Sequence, residues 1–189
     1  MTEHSSLDET AIGRITARLD QPIVLIGLMG VGKSTVGRRL ANMLRRDFVD
    51  ADDAIEQAAQ LSISEIFEQF GEPYFRDGER RVIARLIAEN SGVIATGGGA
   101  FVDPSTRALI LEKAIAVWID CDIDTLVERT ARRNSRPLLR NGDPKEILTK
   151  LAQEREQYYA MAPIRVQSED GPHADSAIRI IEAIEAKLL

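Results

Sequence analysis

Residues Gly27 to Thr35 read GLMGVGKST, residue types and spacing suited to holding a chain of phosphates. Glycines at Gly27 and Gly32 let the main chain curl with its N–H groups pointing inward, a curvature that side chains obstruct. Lys33 adds a movable cation. Ser34 opens the following helix, where its hydroxyl can ligate Mg2+ while the helix N-terminus adds favourable potential toward phosphate. The pattern implies a nucleoside triphosphate as ligand.

Further groups able to do chemistry fall in three clusters. The segment Phe48-Val49-Asp50-Ala51-Asp52-Asp53 ends an apolar run in carboxylates. Read as an extended strand beside the first one, it turns Asp50 and Asp52 to the same cavity. One would hold Mg2+ through water and the other would accept a hydrogen bond from a substrate hydroxyl. The alternative, that Asp50 or Asp52 caps a helix over Ala51 to Ala59, stays open beside it. Asp53 points elsewhere as a cap or a solvated residue. Thr96-Gly97-Gly98-Gly99-Ala100 exposes bare backbone at another strand end, where its N–H groups can face a ligand. Three arginines stand out by context: Arg76 follows Tyr74-Phe75, Arg155 precedes Tyr158-Tyr159, and Arg136 opens Arg136-Pro137-Leu138-Leu139. Guanidinium groups partly buried among aromatics demand an anion, which a small carboxylate would supply. Arg136 would neutralise charge on a transferring phosphoryl group.

Such groups must be delivered to one edge of a scaffold. Five apolar runs, Ile23 to Ile26, Phe48 to Asp50, Val93 to Thr96, Ile115 to Asp120 and Ile164 to Val166, alternate with helical stripes. The stripes are Val36, Leu40 and Leu44; Val82, Leu86 and Ile87; Ile123, Leu126, Val127 and Thr130; and Ile178, Ile181, Ile184 and Leu188. Alternation of this kind specifies an α/β fold, a parallel sheet covered by helices. Leu7 to Leu19 carries Ile12, Ile15 and Leu19 at helical spacing, and the expectation is a short helix in a loosely attached leader. Asn134 to Pro144 is the irregular excursion and is expected to act as a mobile lid.

At 189 residues the chain fits one domain with a substantial core. A net charge of −6 argues against a general nucleic-acid binder, though a local basic pocket is compatible with it. The single cysteine, Cys121, excludes an intrachain disulfide and a multi-cysteine metal site, and reads as a packed small residue in a cytoplasmic protein. No apolar stretch approaches the roughly 20 residues of a spanning helix, so no membrane partner is expected.

Taken in order, GLMGVGKST, FVDADDAIE, YFRDGE, TGGGA, RPLL and REQYY closely resemble shikimate kinase, over about Ile23 to Leu189. The resemblance implies a three-layer phosphate-loop kinase fold like that of nucleoside-monophosphate kinases, with a five-stranded parallel sheet. It places a helical substrate-binding subdomain at about residues 50–88 and a lid at about 131–144, within a domain spanning 21–189 that leaves 1–20 as a leader. It implies ATP-dependent phosphorylation of the 3-hydroxyl of shikimate, on the route to chorismate and aromatic amino acids, in a monomer. By the same resemblance Gly30, Val31, Gly32, Lys33, Ser34 and Thr35 cradle the ATP phosphates, and Ser34 with a water-linked Asp50 holds Mg2+. Asp52 orients the attacking hydroxyl and takes its proton, making Lys33, Asp52 and Arg136 the catalytic set. Arg76 and Arg155 clamp the shikimate carboxylate, and the turn Gly97, Gly98 and Gly99 contacts substrate through its backbone. Arg136 also closes over the phosphates, and Arg129 matches a position near the adenine. Val166 to Pro172 stands in the place of the adenine loop, with QSEDGP where an Asp-Thr start is commoner. A related small-metabolite kinase such as gluconate kinase, or a nucleotide-dependent switch, is the rival reading.

Overall fold

Short runs rich in Ile, Val and Ala assemble into one parallel sheet of five strands: β1 (Ile23–Ile26), β2 (Phe48–Asp50), β3 (Val93–Ala95), β4 (Ile115–Asp120) and β5 (Ile164–Gln167). The computed structural model describes residues 7–89, 92–132, 139, 141–169 and 173–188. Strand order is β2-β3-β1-β4-β5, with Ile23 opposite both Val93 and Ile115, and Phe48 opposite Val93. All four residues of β1 are buried, as a central parallel strand covered on both faces requires. At the edge, β5 buries Ile164 and Val166 and exposes Arg165 and Gln167. The expected neighbourhood of β2 is corrected here: β3 lies between it and β1. Apolar content locates strands, but it does not decide their lateral order.

Among the described residues eight α-helices connect and cover the strands: α1 (Glu9–Arg18), α2 (Lys33–Met43), α3 (Ala51–Ala59), α4 (Ile63–Glu89), α5 (Pro104–Lys113), α6 (Ile123–Ala131), α7 (Pro144–Tyr159) and α8 (His173–Leu188). Helix α4 is broken at Gly71, whose φ of 81° lies in the left-handed region, and Pro73 sits in the first turn of its second part. Helices α5 and α7 carry no apolar stripe noted in the sequence, yet each opens on Asp-Pro. Asp103 and Asp143 accept hydrogen bonds from Thr106 N and Lys145 N, and Pro104 and Pro144 occupy the first helical position. Along α8 the buried apolar residues among those described are Ala177, Ile180, Ile181 and Ile184, so Ile180 takes the core place expected of Ile178.

Close approach of α2 to the sheet depends on Gly37, where a Cβ would come within 2.5 Å of the Phe48 ring and 3.1 Å of Leu25. Arg38 lies over the other part of that ring, 5.2 Å from its centroid. On its outer side α2 packs against α8. Helix α1 packs on α8 as well, burying Ile15 and Leu19. Arg46 fixes the exit from α1, donating to the carbonyls of Gln21 (3.1 Å) and Leu19. Residues 7–20 are therefore part of the fold rather than a loosely attached leader. The helix was legible, but its anchorage rests on α8, at the other end of the chain. We expect Ile15→Ala to lower stability by about 2 kcal/mol, read as a fall in Tm; a loosely held leader would leave Tm unchanged.

Candidate active site

The loop from Gly27 to Gly32 runs from β1 into α2 with Gly27, Gly30 and Gly32 all at positive φ (141°, 87° and 93°). A Cβ on Gly27 would collide with the Ile119 carbonyl, so the first glycine is required by space as well as by curvature. The need for Gly30 was not apparent from the phosphate-loop pattern, which leaves that position open. Helix α2 also begins without a side-chain cap. By contrast Asp8, Asp50, Asp103, Asp122 and Asp143 cap α1, α3, α5, α6 and α7. The first N–H groups of α2 are thus left to an anion, the arrangement in which a helix start binds phosphate. Lys33 arches over the loop, its Nζ donating to the carbonyls of Gly27 (2.7 Å) and Leu28 (2.9 Å).

Ser34 Oγ donates to Asp50 Oδ2 at 2.5 Å, joining the helix start to the end of β2 across the intervening β3. Asp50 is at the same time the cap of α3, its Oδ1 accepting from Asp52 N at 3.0 Å. The two carboxylates do not share a side of one extended strand, as the sequence led us to expect: Asp52 stands in the first turn of α3. Capping and proximity to the loop prove compatible, because Asp50 uses a different oxygen for each. Asp53 is exposed on α3.

Beyond β3 the chain turns through Gly97, Gly98 and Gly99, and each position is crowded by a different charge. A Cβ on Gly97 would lie 3.1 Å from Asp52 Oδ1 and 3.3 Å from Glu79 Oε2. One on Gly98 would lie 3.0 Å from Arg155 Nη1 and 3.6 Å from the Gly27 carbonyl oxygen, and one on Gly99 would strike the Arg76 guanidinium. The turn therefore brings Asp52, Arg76 and Arg155 together beside the phosphate loop. It is anchored at its start by Thr96, whose hydroxyl donates to Leu25 O at 2.9 Å, and in its middle by Tyr159, whose hydroxyl donates to Gly98 O at 2.5 Å.

Two groups here were not singled out from sequence. Glu79 is 1% exposed on α4 and pairs with Arg76 at 2.8 Å; Glu72, more exposed, adds a second contact at 3.3 Å. Burial pushes the Glu79 carboxyl above the usual range, although Arg76 pulls it down. Its i, i+3 spacing from Arg76 was the available signal. Tyr159 is the other, one helical turn past Arg155 on α7. Its partner Gly98 is too distant in the chain for any local pattern to reveal.

Arg129 lies at the other flank of the loop, donating to Val31 O and Ser168 Oγ (both 3.3 Å) and to Glu169 O (3.0 Å). It thereby ties the phosphate loop to the segment after β5. Arg136 lies outside the described residues, as do residues 133–138 and 140 of the expected lid. Cys121 is buried.

Burial pushes the Asp52 carboxyl up from 3.8 to about 6, Asp50 reinforcing the shift and Lys33 opposing it. A group raised in the folded state contributes stability that is fully present below its unfolded pKa and is lost as pH rises through the folded one. Ionised Asp52 accordingly weighs on the fold at pH 7. In chelator-treated, metal-free protein, Asp52→Asn should be more stable than the parent at pH 7 by on the order of 1–3 kcal/mol, with the gain vanishing toward pH 4. Thermal unfolding across that range checks it, and an equal gain at both ends would contradict the assignment.

Residues 29–185 match the shikimate kinase family model. Among curated relatives, a shikimate kinase of Novosphingobium aromaticivorans is 57% identical over 189 residues, covering 97% of this chain and 98% of that protein. The match reaches into the first 20 residues. A solved shikimate kinase from Acinetobacter baumannii, described as in complex with shikimate, superposes with a TM-score of 0.86 at 34% identity, over 92% of this chain and 98% of that one. A gluconokinase from Sinorhizobium meliloti superposes with a TM-score of 0.56 at 17% identity, over 90% of this chain and 95% of that one, a likeness of fold alone. With a phosphate loop set against a glycine turn ringed by Asp52, Arg76 and Arg155, and with relatives matched along nearly its whole length, this chain belongs to the shikimate kinase family.

Proposed function

We propose that this protein transfers the terminal phosphoryl group of ATP to the 3-hydroxyl of shikimate, giving shikimate 3-phosphate and ADP for chorismate and aromatic amino acid biosynthesis. The observation that carries this reading is the turn Gly97–Gly99, where the half-buried Asp52 carboxylate and two guanidinium groups converge beside the phosphate loop. A small hydroxylated carboxylic acid complements that set. Its carboxylate meets Arg76 and Arg155, its hydroxyl meets Asp52, and its reacting oxygen is directed toward the loop.

Catalysis of this type needs alignment and charge neutralisation, with no covalent protein intermediate. The loop residues Gly30 to Thr35 and the uncapped start of α2 would hold the phosphates by their N–H groups. Lys33 would exchange its carbonyl partners Gly27 and Leu28 for phosphate oxygens as charge shifts toward the leaving group. Asp52 would orient the acceptor hydroxyl and receive its proton. Arg129 would support the nucleotide from the segment after β5, and Arg136 of the lid would add positive charge over the phosphates.

Ser34 Oγ and Asp50 Oδ2, 2.5 Å apart at the mouth of the loop, are hard oxygen donors suited to Mg2+. Two protein oxygens leave room for the waters and phosphate oxygens that this ion retains, and no cluster of three or more metal-binding side chains occurs among the described residues. Bound there, Mg2+ would neutralise phosphate charge.

No described helix is long and apolar enough to cross a membrane. We further propose a cytoplasmic monomer whose substrate-binding region covers about residues 50–88, in keeping with the contribution of α3 and α4 to the pocket.

Release of ADP measured in a coupled assay should depend on shikimate and not on gluconate; hydrolysis indifferent to shikimate would instead favour a nucleotide switch. Lys33→Ala and Asp52→Asn should each reduce kcat by at least about a hundredfold with the fold retained by circular dichroism. Arg155→Ala should raise the KM for shikimate by about tenfold or more and spare that for ATP. An unchanged shikimate KM would remove Arg155 from the carboxylate clamp.

A further inference from the structure

The sheet edge contains a buried hydroxyl that the proposed phosphoryl transfer does not use. Tyr159 is 2% exposed near the end of α7, and its Oη donates to the Gly98 carbonyl at 2.5 Å. The positive charge of Arg155 lies close enough to oppose the upward pull that burial exerts on the pKa of this phenol. The phenol oxygen thus holds the middle glycine of the turn. Arg155 Nη1 in turn stands 3.0 Å from where a Gly98 Cβ would be. Tyr159 and Arg155 therefore meet at the same glycine, Gly98.

Packing alone does not fix the phenol. Its ring meets Trp118 at a centroid distance of 5.9 Å, tilted by 43°, and also borders a cavity of about 200 Å³ lined with Leu28, Val31, Ala152 and Cys121. The hydroxyl's hydrogen bond to Gly98 O defines where the ring settles between Trp118 and that cavity. Burial raises the phenol above its ordinary pKa, keeping the proton that Gly98 O receives.

We infer that Tyr159 is a positioning residue of the acceptor site, a role that rests on the shikimate reading above. Its hydroxyl holds the Gly98 peptide, against which the Arg155 guanidinium is set, in one geometry before a carboxylate arrives. A peptide whose carbonyl is held from behind presents its other face to the pocket in a fixed orientation. A guanidinium packed against that fixed peptide has fewer arrangements to lose when it closes on an anion. Both effects act on acceptor binding. Neither acts on the nucleotide, which meets the opposite flank of the loop.

Tyr159→Phe removes only the oxygen and keeps the ring against Trp118. Steady-state kinetics should give a KM for shikimate raised about tenfold, with the KM for ATP changed by less than about twofold and kcat lowered much less than kcat/KM. Tyr158→Phe, altering the adjacent phenol whose ring is stacked by Arg107 at 4.8 Å, serves as the control and should leave the shikimate KM unchanged. Trp118, the single tryptophan, gives a second readout, since shikimate binding should perturb its fluorescence in the parent and less so in Tyr159→Phe. A shikimate KM equal to the parent's, or equal rises for both substrates, overturns the positioning role. Failure of the parent itself to phosphorylate shikimate refutes the functional reading instead, so the two outcomes are distinct.

Discussion

Three consecutive residues without side chains allow four charged ones to occupy space that a single Cβ would take. Asp52 and Glu79 press on Gly97, Arg155 on Gly98 and Arg76 on Gly99. Each charge is costly to bury alone, and the set is tolerable because two acids at one end of a short strip of main chain are followed by two guanidinium groups. The balance is local, however. Glu79 has Arg76 at 2.8 Å, whereas Asp52 has Asp50 as a close like-charged neighbour and only Lys33 in opposition. The pocket therefore keeps one carboxylate poorly compensated and one guanidinium, that of Arg155, directed at the turn. Poor compensation at a buried acid is the usual sign of a group held for chemistry rather than for stability.

On the nucleotide side the same economy of side chains prevails. Most described helices begin with an aspartate that satisfies their first N–H groups, but α2 begins with Gly32 and nothing in its place. The loop is held from below through Gly37, which lets α2 settle on Phe48 and Leu25. Ser34 and Asp50 then connect the loop to β2, so the phosphate and acceptor halves of the site share a hydrogen bond as well as a sheet edge. A displacement of either half would be felt by the other.

Much of this arrangement was legible in the residues. The five strands stand where their apolar runs place them, because β-branched residues between turn signals form a strong pattern. The loop, the glycine turn, Asp52, Arg76 and Arg155 were recognisable for the same reason, each being a local signature. What escaped was relational. Strand order is set by how helices cross the sheet, so β2 beside β1 was a fair reading that the insertion of β3 corrected. Asp52 passed for a strand residue because Asp50 both ends β2 and caps α3, with no spacer between the elements. Glu79 resembled any helical acid until burial distinguished it, and Tyr159 acquires meaning only from Gly98. Helices α5 and α7 were overlooked for a different reason, since their Asp-Pro starts were present but weaker to the eye than an apolar stripe.

Helix α2, which carries the phosphate loop at its head, leans on α8, which in turn receives α1. During synthesis the loop emerges from the ribosome long before the helix that backs it has been made. The nascent polypeptide at that stage has the glycines, the lysine and the serine in sequence but lacks the brace behind them. The backing of the loop through α2 thus depends on a segment made long after the loop itself.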